Sequence, residues 1–167
     1  MTSTDVLVFG AHPDDIEIGC GGTILKLTDA GRRVVLVDLV RGELGTRGNA
    51  EIRAEEAAQG AEILGVTARE NLELRDGYLS STSEDGQRRI AEVIRRWQPQ
   101  TVFLPYWEDR HPDHAHASRL VYEGAFLAGL ARFETGQPRH RPRRLIHYMG
   151  WYEFVPTFIT DITGQFE

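Results

Sequence analysis

The sequence predicts an α/β fold with a mainly parallel β-sheet and helices on both faces. Apolar runs typical of strands alternate with stretches of helical spacing along the 167 residues. The run at 33–40, RVVLVDLV, is almost continuously apolar and β-branched, which is typical of a strand covered on both faces. Because parallel neighbours need a crossover connection, this alternation favours parallel pairing.

Each element follows from a local pattern. Apolar runs predict six strands, at 5–10, 33–40, 72–74, 101–104, 145–148 and 158–162. Apolar or alanine positions at helical spacing predict four helices, at 18–30, 50–64, 87–97 and 112–133. Gly31 and Gly65 are suited to end the first two helices, and Pro99 separates the third helix from the strand after it. With these elements in this order, the expected arrangement is Rossmann-like.

Composition narrows the class of protein. The chain is 41% hydrophobic and 26% charged, which is ordinary for one globular domain and argues against disorder. The net charge of −6 argues against a nucleic-acid partner, and the arginines at 139–144 are interpreted as a solvated loop. Neither a membrane span nor a signal peptide is evident, so we expect a cytoplasmic protein that has no membrane partner. The single cysteine, Cys20, is interpreted as a small buried helix residue.

The first chemical motif is HPDD, His12 to Asp15, directly after the first predicted strand. A dinucleotide site would need G-x-G-x-x-G here, but the glycines come later, at 19, 21 and 22. Two adjacent carboxylates would also repel a pyrophosphate. A simpler interpretation is a turn in which an aspartate caps the following helix.

The second motif is HPDHAH, His111 to His116, which follows the strand predicted at 101–104. Ligands of such sheets bind beyond the carboxyl ends of the strands, so both motifs are expected at one edge. Histidine and carboxylate together suit a divalent ion such as zinc. Spacing alone leaves open whether His114 or His116 is the ligand.

These residues carry a resemblance to a known family. HPDD together with HPDH resembles the PIG-L/LmbE superfamily of zinc-dependent de-N-acetylases of amino sugars. The resemblance covers essentially the whole chain and includes GELGTRG at 42–48, RAEE at 53–56 and the region 151–163. Asp109-Arg110, with YEF at 152–154 and DIT at 161–163, most resembles the bacillithiol-biosynthesis branch, which deacetylates N-acetylglucosaminyl malate.

The resemblance implies a role for each motif residue. It makes His12, Asp15 and His114 the ligands of one zinc ion, and Asp14 the general base. It makes His111 the acid that protonates the leaving amine or stabilises the oxyanion, with Asp113 orienting it through a hydrogen bond. The chemistry is coherent, because three protein ligands leave a place for a water whose pKa the metal lowers toward about 7. A poor leaving group such as an amine also needs an acid.

The resemblance also suggests the substrate and the assembly. Arg53 and Arg110 are candidate substrate-binding residues, since a guanidinium matches the carboxylate of malate. An inositol glycoside or a chitobiose-type saccharide is the alternative substrate, and a homo-oligomer, trimer or hexamer, is expected from the branch. Because family members continue past the Asp-Ile-Thr element, we expect a single domain at 1–167 that lacks the family's C-terminal segment.

Two rival functions stand beside this one. His12-Pro13-Asp14 with a distal histidine formally matches the ligand triad of non-haem iron oxygenases, but that site usually occurs in an all-β barrel. The other rival is a non-catalytic module that binds a metal or a sugar.

Overall fold

The computed structural model describes residues 3–46 and 48–166. Its five strands form one sheet in which every pair is parallel. The strands are β1 (Val6–Gly10), β2 (Val34–Val40), β3 (Ala68–Leu74), β4 (Thr101–Pro105) and β5 (Arg144–Tyr148). Their order in the sheet is β3-β2-β1-β4-β5, so β1 is central and the chain changes direction between β1 and β4. The predicted parallel α/β fold is confirmed.

Four helices connect the strands: α1 (Asp15–Asp29), α2 (Ala50–Ile63), α3 (Glu84–Trp97) and α4 (Pro112–Ala128). Side chains cap three of them: Asn49 accepts the N–H of Ile52 in α2, Ser83 accepts the N–H of Gly86 in α3, and His111 is the N-cap of α4. A short 3-10 helix, Thr163–Gln165, lies near the end of the chain. No helix among residues 3–46 and 48–166 is long and apolar enough to cross a bilayer.

The core lies on both faces of the sheet. Every residue of β1, β2 and β4 is buried, as the continuous apolar runs predict. On one face Leu7 and Phe9 belong to a cluster with Ile90 of α3 and Leu120 of α4. On the other, Val8 belongs to a second cluster that includes α1 residues such as Ile24. This packing fixes the carboxyl ends of β1 and β4 side by side.

Helix α1 packs closely on its neighbours at its glycines. A Cβ at Gly19 would lie 2.6 Å from the ring of Tyr148, whose hydroxyl donates to the carbonyl of Phe9 at 2.8 Å. A Cβ at Gly22 would lie 2.6 Å from the side chain of Ile162. Cys20, between them, is buried as expected, and burial raises the pKa of its thiol. These glycines are therefore required for packing and not for a phosphate loop.

A buried ion-pair network connects α1 with two strands. The guanidinium of Arg69 in β3 donates to both carboxylate oxygens of Asp38 in β2, at 2.7 and 2.9 Å. The same guanidinium also pairs with Glu17 in the first turn of α1 and donates to the carbonyl of Ala57 in α2. Four elements near the first motif are thus held by one side chain.

Helix α4 ends at Ala128, earlier than the predicted end at 133. The buried side chain of Arg95 donates to the carbonyls of Ala128, Leu130 and Phe133, at 3.0, 2.7 and 2.6 Å. These carbonyls would otherwise lack partners at the helix end, so Arg95 stabilises a turn there in place of further helix.

The sixth predicted strand, at 158–162, is wrong. This segment has no strand pairing and lies along α1, where Lys26 donates to the carbonyl of Asp161 at 2.8 Å. Ile162 packs on Gly22, whereas Ile159 is exposed. The apolar residues of this segment therefore contact a helix and do not extend the sheet. The third strand, in contrast, begins at Ala68 and is longer than predicted.

Candidate metal centre and catalytic site

Both motifs lie at the carboxyl edge of the sheet, as predicted. The first follows β1 and the second follows β4, and these two strands are direct neighbours with Val8 opposite Phe103. The two loops therefore meet although about a hundred residues separate them in the chain. The rings of His12 and His114 lie 5.4 Å apart between their centres.

Asp15 joins the two motifs. One oxygen of its carboxylate lies 3.2 Å from Nδ1 of His12, and the other lies 3.2 Å from Nε2 of His114. The oxygen near His12 also accepts the backbone N–H of that residue at 2.8 Å. Although burial opposes ionisation, the two histidines hold the pKa of Asp15 well below its usual value. The carboxylate is thus ionised and faces both rings.

The far nitrogen of each histidine has a carboxylate of its own. Nε2 of His12 lies 3.2 Å from Asp76, and Nδ1 of His114 lies 3.2 Å from Asp109. Neither aspartate is among the predicted site residues. Asp76 precedes a glycine, which is typical of a turn, but its place after β3, at the same sheet edge, is a usable signal.

The protonation of His12 reflects this setting. Burial lowers its pKa, but the hydrogen bond and charge of Asp15, together with the charges of Asp76 and Asp113, outweigh burial and raise the pKa to about 9. The same balance between burial and the carboxylates of Asp15 and Asp109 raises the pKa of His114. Without a bound cation, protons on the histidines partly balance the negative charge of the cluster.

Two pairwise distances within the predicted ligand set are similar to those around a divalent cation, each measured to a different oxygen of Asp15. Two ligand atoms bound tetrahedrally at about 2.0–2.1 Å stand about 3.4 Å apart, close to the 3.2 Å between Asp15 and each ring nitrogen. Donor atoms that all lie within 4.8 Å of one another are found in two other groups, His12, His111 and His114, and His12, Asp76 and Asp113, and not in the set of His12, Asp15 and His114. In the second of these two groups the carboxylates already accept backbone N–H groups from Leu44, Gly77 and Leu79.

Asp113 and His111 are hydrogen bonded, but differently from the expected orientation. The backbone N–H of Asp113 donates to Nδ1 of His111 at 3.2 Å, which makes His111 the N-cap of α4. The buried carboxylate of Asp113 instead accepts the N–H groups of Gly77 and Leu79, and one oxygen lies 3.6 Å from Nε2 of His12. Its carboxylate therefore fixes the loop after Asp76.

His111 lies beside the two other histidines. Its ring centre is 4.8 Å from that of His12 and 4.8 Å from that of His114, and the residue is exposed. The pKa of His111 is lowered, first by the partial burial of its ring and then by the charges of His12 and His114. Since Nδ1 accepts a hydrogen bond, the neutral ring carries its proton on Nε2.

Asp14 and Arg53 are neighbours at the rim of the site. The Asp14 side chain is 54% exposed and makes no capping hydrogen bond with α1, so the simple capping interpretation does not describe it. Nη1 of Arg53 lies 3.8 Å from the Asp14 carboxylate. Nε of Arg53 is buried without a hydrogen-bond partner, and the guanidinium lies against Gly42 and Gly45. Arg47 of the same loop lies outside the described residues.

Arg110 and the remaining histidines lie farther from the metal-ligand cluster. The guanidinium of Arg110 stacks on the ring of Trp151, 3.6 Å from its centre. His116 is exposed on α4, whereas His140 and His147 bind the backbone carbonyls of Pro99 and Pro105. The structure thus brings His12, Asp15, His111 and His114 together and leaves His116 outside.

Known proteins resemble this chain closely. Diacetylchitobiose deacetylase of Thermococcus kodakarensis is 37% identical over 97% of the chain, which spans 65% of that relative's length. A conserved protein of Thermus thermophilus has the same fold, with a TM-score of 0.92, 40% identity, and coverage of 96% of this chain and 73% of the other. The 4-carboxy-2-hydroxymuconate hydratase of Pseudomonas putida also aligns, with a TM-score of 0.86, 27% identity, and coverage of 99% and 75%.

The match to a family is direct. Residues 7–125 fit the sequence pattern of the family described as PIG-L, GlcNAc-PI de-N-acetylase. That span contains both motifs, Arg53, Asp76 and Asp109. The chain therefore belongs to the PIG-L family of deacetylases.

Proposed function

We propose that the protein is a metal-dependent hydrolase that removes the N-acetyl group from a saccharide or glycoside of N-acetylglucosamine. The observation that carries this proposal is the carboxylate of Asp15 between His12 and His114, 3.2 Å from a nitrogen of each ring, with an exposed carboxylate and an exposed histidine beside it. Such an arrangement offers a metal, a base and an acid in one place. The name of the family and that of the Thermococcus relative support the same reaction.

His12, Asp15 and His114 would hold the ion, which we propose is zinc because imidazole and carboxylate suit it. A bound divalent ion supplies a water of lowered pKa and polarises the acetamide carbonyl. Asp76 and Asp109 contact the far nitrogens of the two histidines. The ring nitrogens nearest Asp15 are therefore left for metal binding.

Asp14 is the proposed general base. Its carboxylate is adjacent in sequence to the ligand Asp15, is half exposed and is not bound to helix N–H groups, so it can accept a proton from water. Arg53, 3.8 Å away, keeps a positive charge beside it.

His111 is the proposed acid. Nδ1 accepts the N–H of Asp113, so the ring presents Nε2 and its proton to the site. In that state it can donate a hydrogen bond to the developing oxyanion, and in the protonated state it can pass a proton to the amine that leaves. Asp113 contributes through its backbone N–H.

A saccharide of the diacetylchitobiose type is the substrate that the Thermococcus relative supports. N-Acetylglucosaminyl malate, the substrate expected from the bacillithiol-branch resemblance, has support from Arg53 alone, because its guanidinium lies 3.8 Å from the exposed carboxylate of Asp14. Arg110 supports it less, since its guanidinium is stacked on Trp151.

The test measures acetate released by the zinc-loaded protein from N,N′-diacetylchitobiose, N-acetylglucosaminyl malate, N-acetylglucosaminyl inositol and free N-acetylglucosamine. We expect one acetate for each new primary amine. If Arg53 binds malate, Arg53→Ala should lower kcat/KM on the malate glycoside about ten- to a hundredfold and spare the neutral substrates, the usual effect of removing a charge-assisted hydrogen bond.

Two results would contradict the proposal. Zinc binding without acetate release from any of the four compounds would favour a binding module. Hydration of a 4-carboxy-2-hydroxymuconate-type diene without deacetylation would place the chain with its hydratase relative.

A further inference from the structure

Asp109 lies in the loop directly before the second motif, and its carboxylate contacts both the motif and the segment after β5. Its side chain is 2% exposed. Oδ1 accepts the backbone N–H of His111 at 2.9 Å and lies 3.2 Å from Nδ1 of His114. Oδ2 accepts the backbone N–H of Trp151 at 3.1 Å.

The contacts of Oδ1 concern the turn before α4 and the ring of His114, and that of Oδ2 concerns the segment after β5. The bond to His111, two residues on, closes a turn in front of α4. Asp109 contacts Nδ1 of His114, whereas Asp15 lies 3.2 Å from Nε2 on the other side of the ring. Asp109 therefore does not compete for the metal position, and its negative charge favours a proton on Nδ1 of His114 over one on Nε2.

We infer that Asp109 is a positioning residue for the metal ligand His114, fixing its tautomer and ring orientation, and that the Gly150-Trp151 backbone holds Asp109 in place. This inference rests on the metal assignment of the proposed function. Carboxylates that accept the far N–H of a ligating histidine orient the ring and raise its basicity, and their loss typically lowers metal affinity 10- to 100-fold.

The backbone around Gly150 supports the second half of the inference. A Cβ added at Gly150 would collide with Oδ2 of Asp109. The absence of a side chain there lets the chain after β5 approach the carboxylate closely enough to donate from Trp151. The segment after β5 thus supports a ligand that lies on α4.

Asp109→Asn tests the role of the carboxylate. Three N–H groups share its two oxygens, whereas an asparagine has one oxygen, so it cannot accept all three. With its amide nitrogen toward His114, the ring would accept a hydrogen bond at Nδ1 and carry its proton on Nε2, where the metal should bind. We expect the Kd for zinc, measured by competition with a chelator in the absence of substrate, to rise about 10- to 100-fold.

Gly150→Ala tests the same role without removing a polar atom. The new methyl group must displace the Asp109 carboxylate, so we expect a similar rise of the zinc Kd. In both variants we also expect the visible spectrum of the cobalt-substituted protein to differ from that of the wild type. Asp161→Asn and Gly164→Ala are the matched controls: Asp161 accepts a local N–H in the same way but is fully exposed, and a Cβ at Gly164 meets no atom within 4 Å. Both controls should bind zinc as the wild type does.

The outcomes are distinct. Wild-type zinc affinity in both Asp109→Asn and Gly150→Ala would overturn the inference. If Asp109→Asn does not fold, the result for Gly150→Ala decides. A wild-type protein that fails to bind zinc would overturn the metal assignment and this inference with it. A protein that binds zinc tightly but releases no acetate would contradict the proposed function and leave the role of Asp109 testable by affinity alone.

Discussion

Replacing Asp14 with asparagine should separate catalysis from stability. The substitution keeps the size of the side chain and removes its ability to accept a proton. The Asp14 side chain contributes little to the stability of the fold, because it is 54% exposed, makes no capping hydrogen bond and has one long ion pair with Arg53 at 3.8 Å. Exposed pairs contribute about 0–1 kcal/mol, so the free energy of unfolding should change by less than about 0.5 kcal/mol.

Activity should change far more. Loss of a general base lowers the rate by about two to four powers of ten, which corresponds to roughly 3–5 kcal/mol of transition-state stabilisation. The zinc content should remain that of the wild type, since Asp14 is not a proposed ligand. The assay combines acetate release, elemental analysis and urea denaturation on the same preparation.

Asp85→Asn is the matched control. Asp85 also lies in the first turn of a helix, α3, is 63% exposed and pairs with an arginine, Arg89, at 2.9 Å. We expect the same small effect on stability and full activity. Activity of Asp14→Asn within about threefold of the wild type would refute the assignment of the base, and a loss of stability above about 2 kcal/mol would contradict the exposed environment described here.

Three further predictions concern the metal, the packing and the protonation of the site. His114→Ala should abolish stoichiometric zinc binding, measured by elemental analysis, whereas His116→Ala should retain it; the reverse result would exchange the two roles. Gly19→Ala should lower the free energy of unfolding by roughly 1–3 kcal/mol because its Cβ would lie 2.6 Å from the half-buried ring of Tyr148, whereas Gly21→Ala, with its nearest neighbour at 4.0 Å, should not; equal effects would argue against the close packing. In the metal-free protein, the raised pKa of His12, about 9, implies a stabilisation of roughly 3 kcal/mol that is complete below pH 6.5 and lost as pH rises through 9; urea denaturation at about pH 6 and 9.5 should show it in the wild type and not in His12→Ala, and zinc affinity should rise over the same interval because the ion displaces that proton.

The central part of the fold could be predicted from sequence because its strands have recognisable local sequence patterns. Buried parallel strands leave continuous apolar runs, and the two motifs follow such runs directly, so their meeting at one sheet edge could be inferred without coordinates. The end of α4 could not, because it depends on Arg95, thirty-three residues before Ala128, and an arginine in a helix is usually expected in solvent.

Two aspartates of the site were not predicted from the sequence, and the reason is again that their contacts are long-range. Asp76 and Asp109 act on His12 and His114 through contacts that the tertiary structure creates, and neither belongs to a His-Pro-Asp motif. Asp109 did have a local signal, since an aspartate two residues before a histidine can close a turn on its N–H. The segment at 158–162 was predicted as a strand although it forms none, because its apolar pattern fits a strand and a segment that covers a helix equally well.

The position of β1 at the centre of the sheet has a consequence for the order in which the protein matures. Asp15 and His114 come from opposite sides of the chain's change of direction, so neither half of the sequence contains all the proposed ligands. During synthesis, HPDD emerges long before HPDH, and the site can form only when β4 docks beside β1. On the proposed ligand assignment, a nascent chain cannot capture the metal ion in the finished geometry before its topology is correct, and binding of the ion would report that the central strands have paired in the right order.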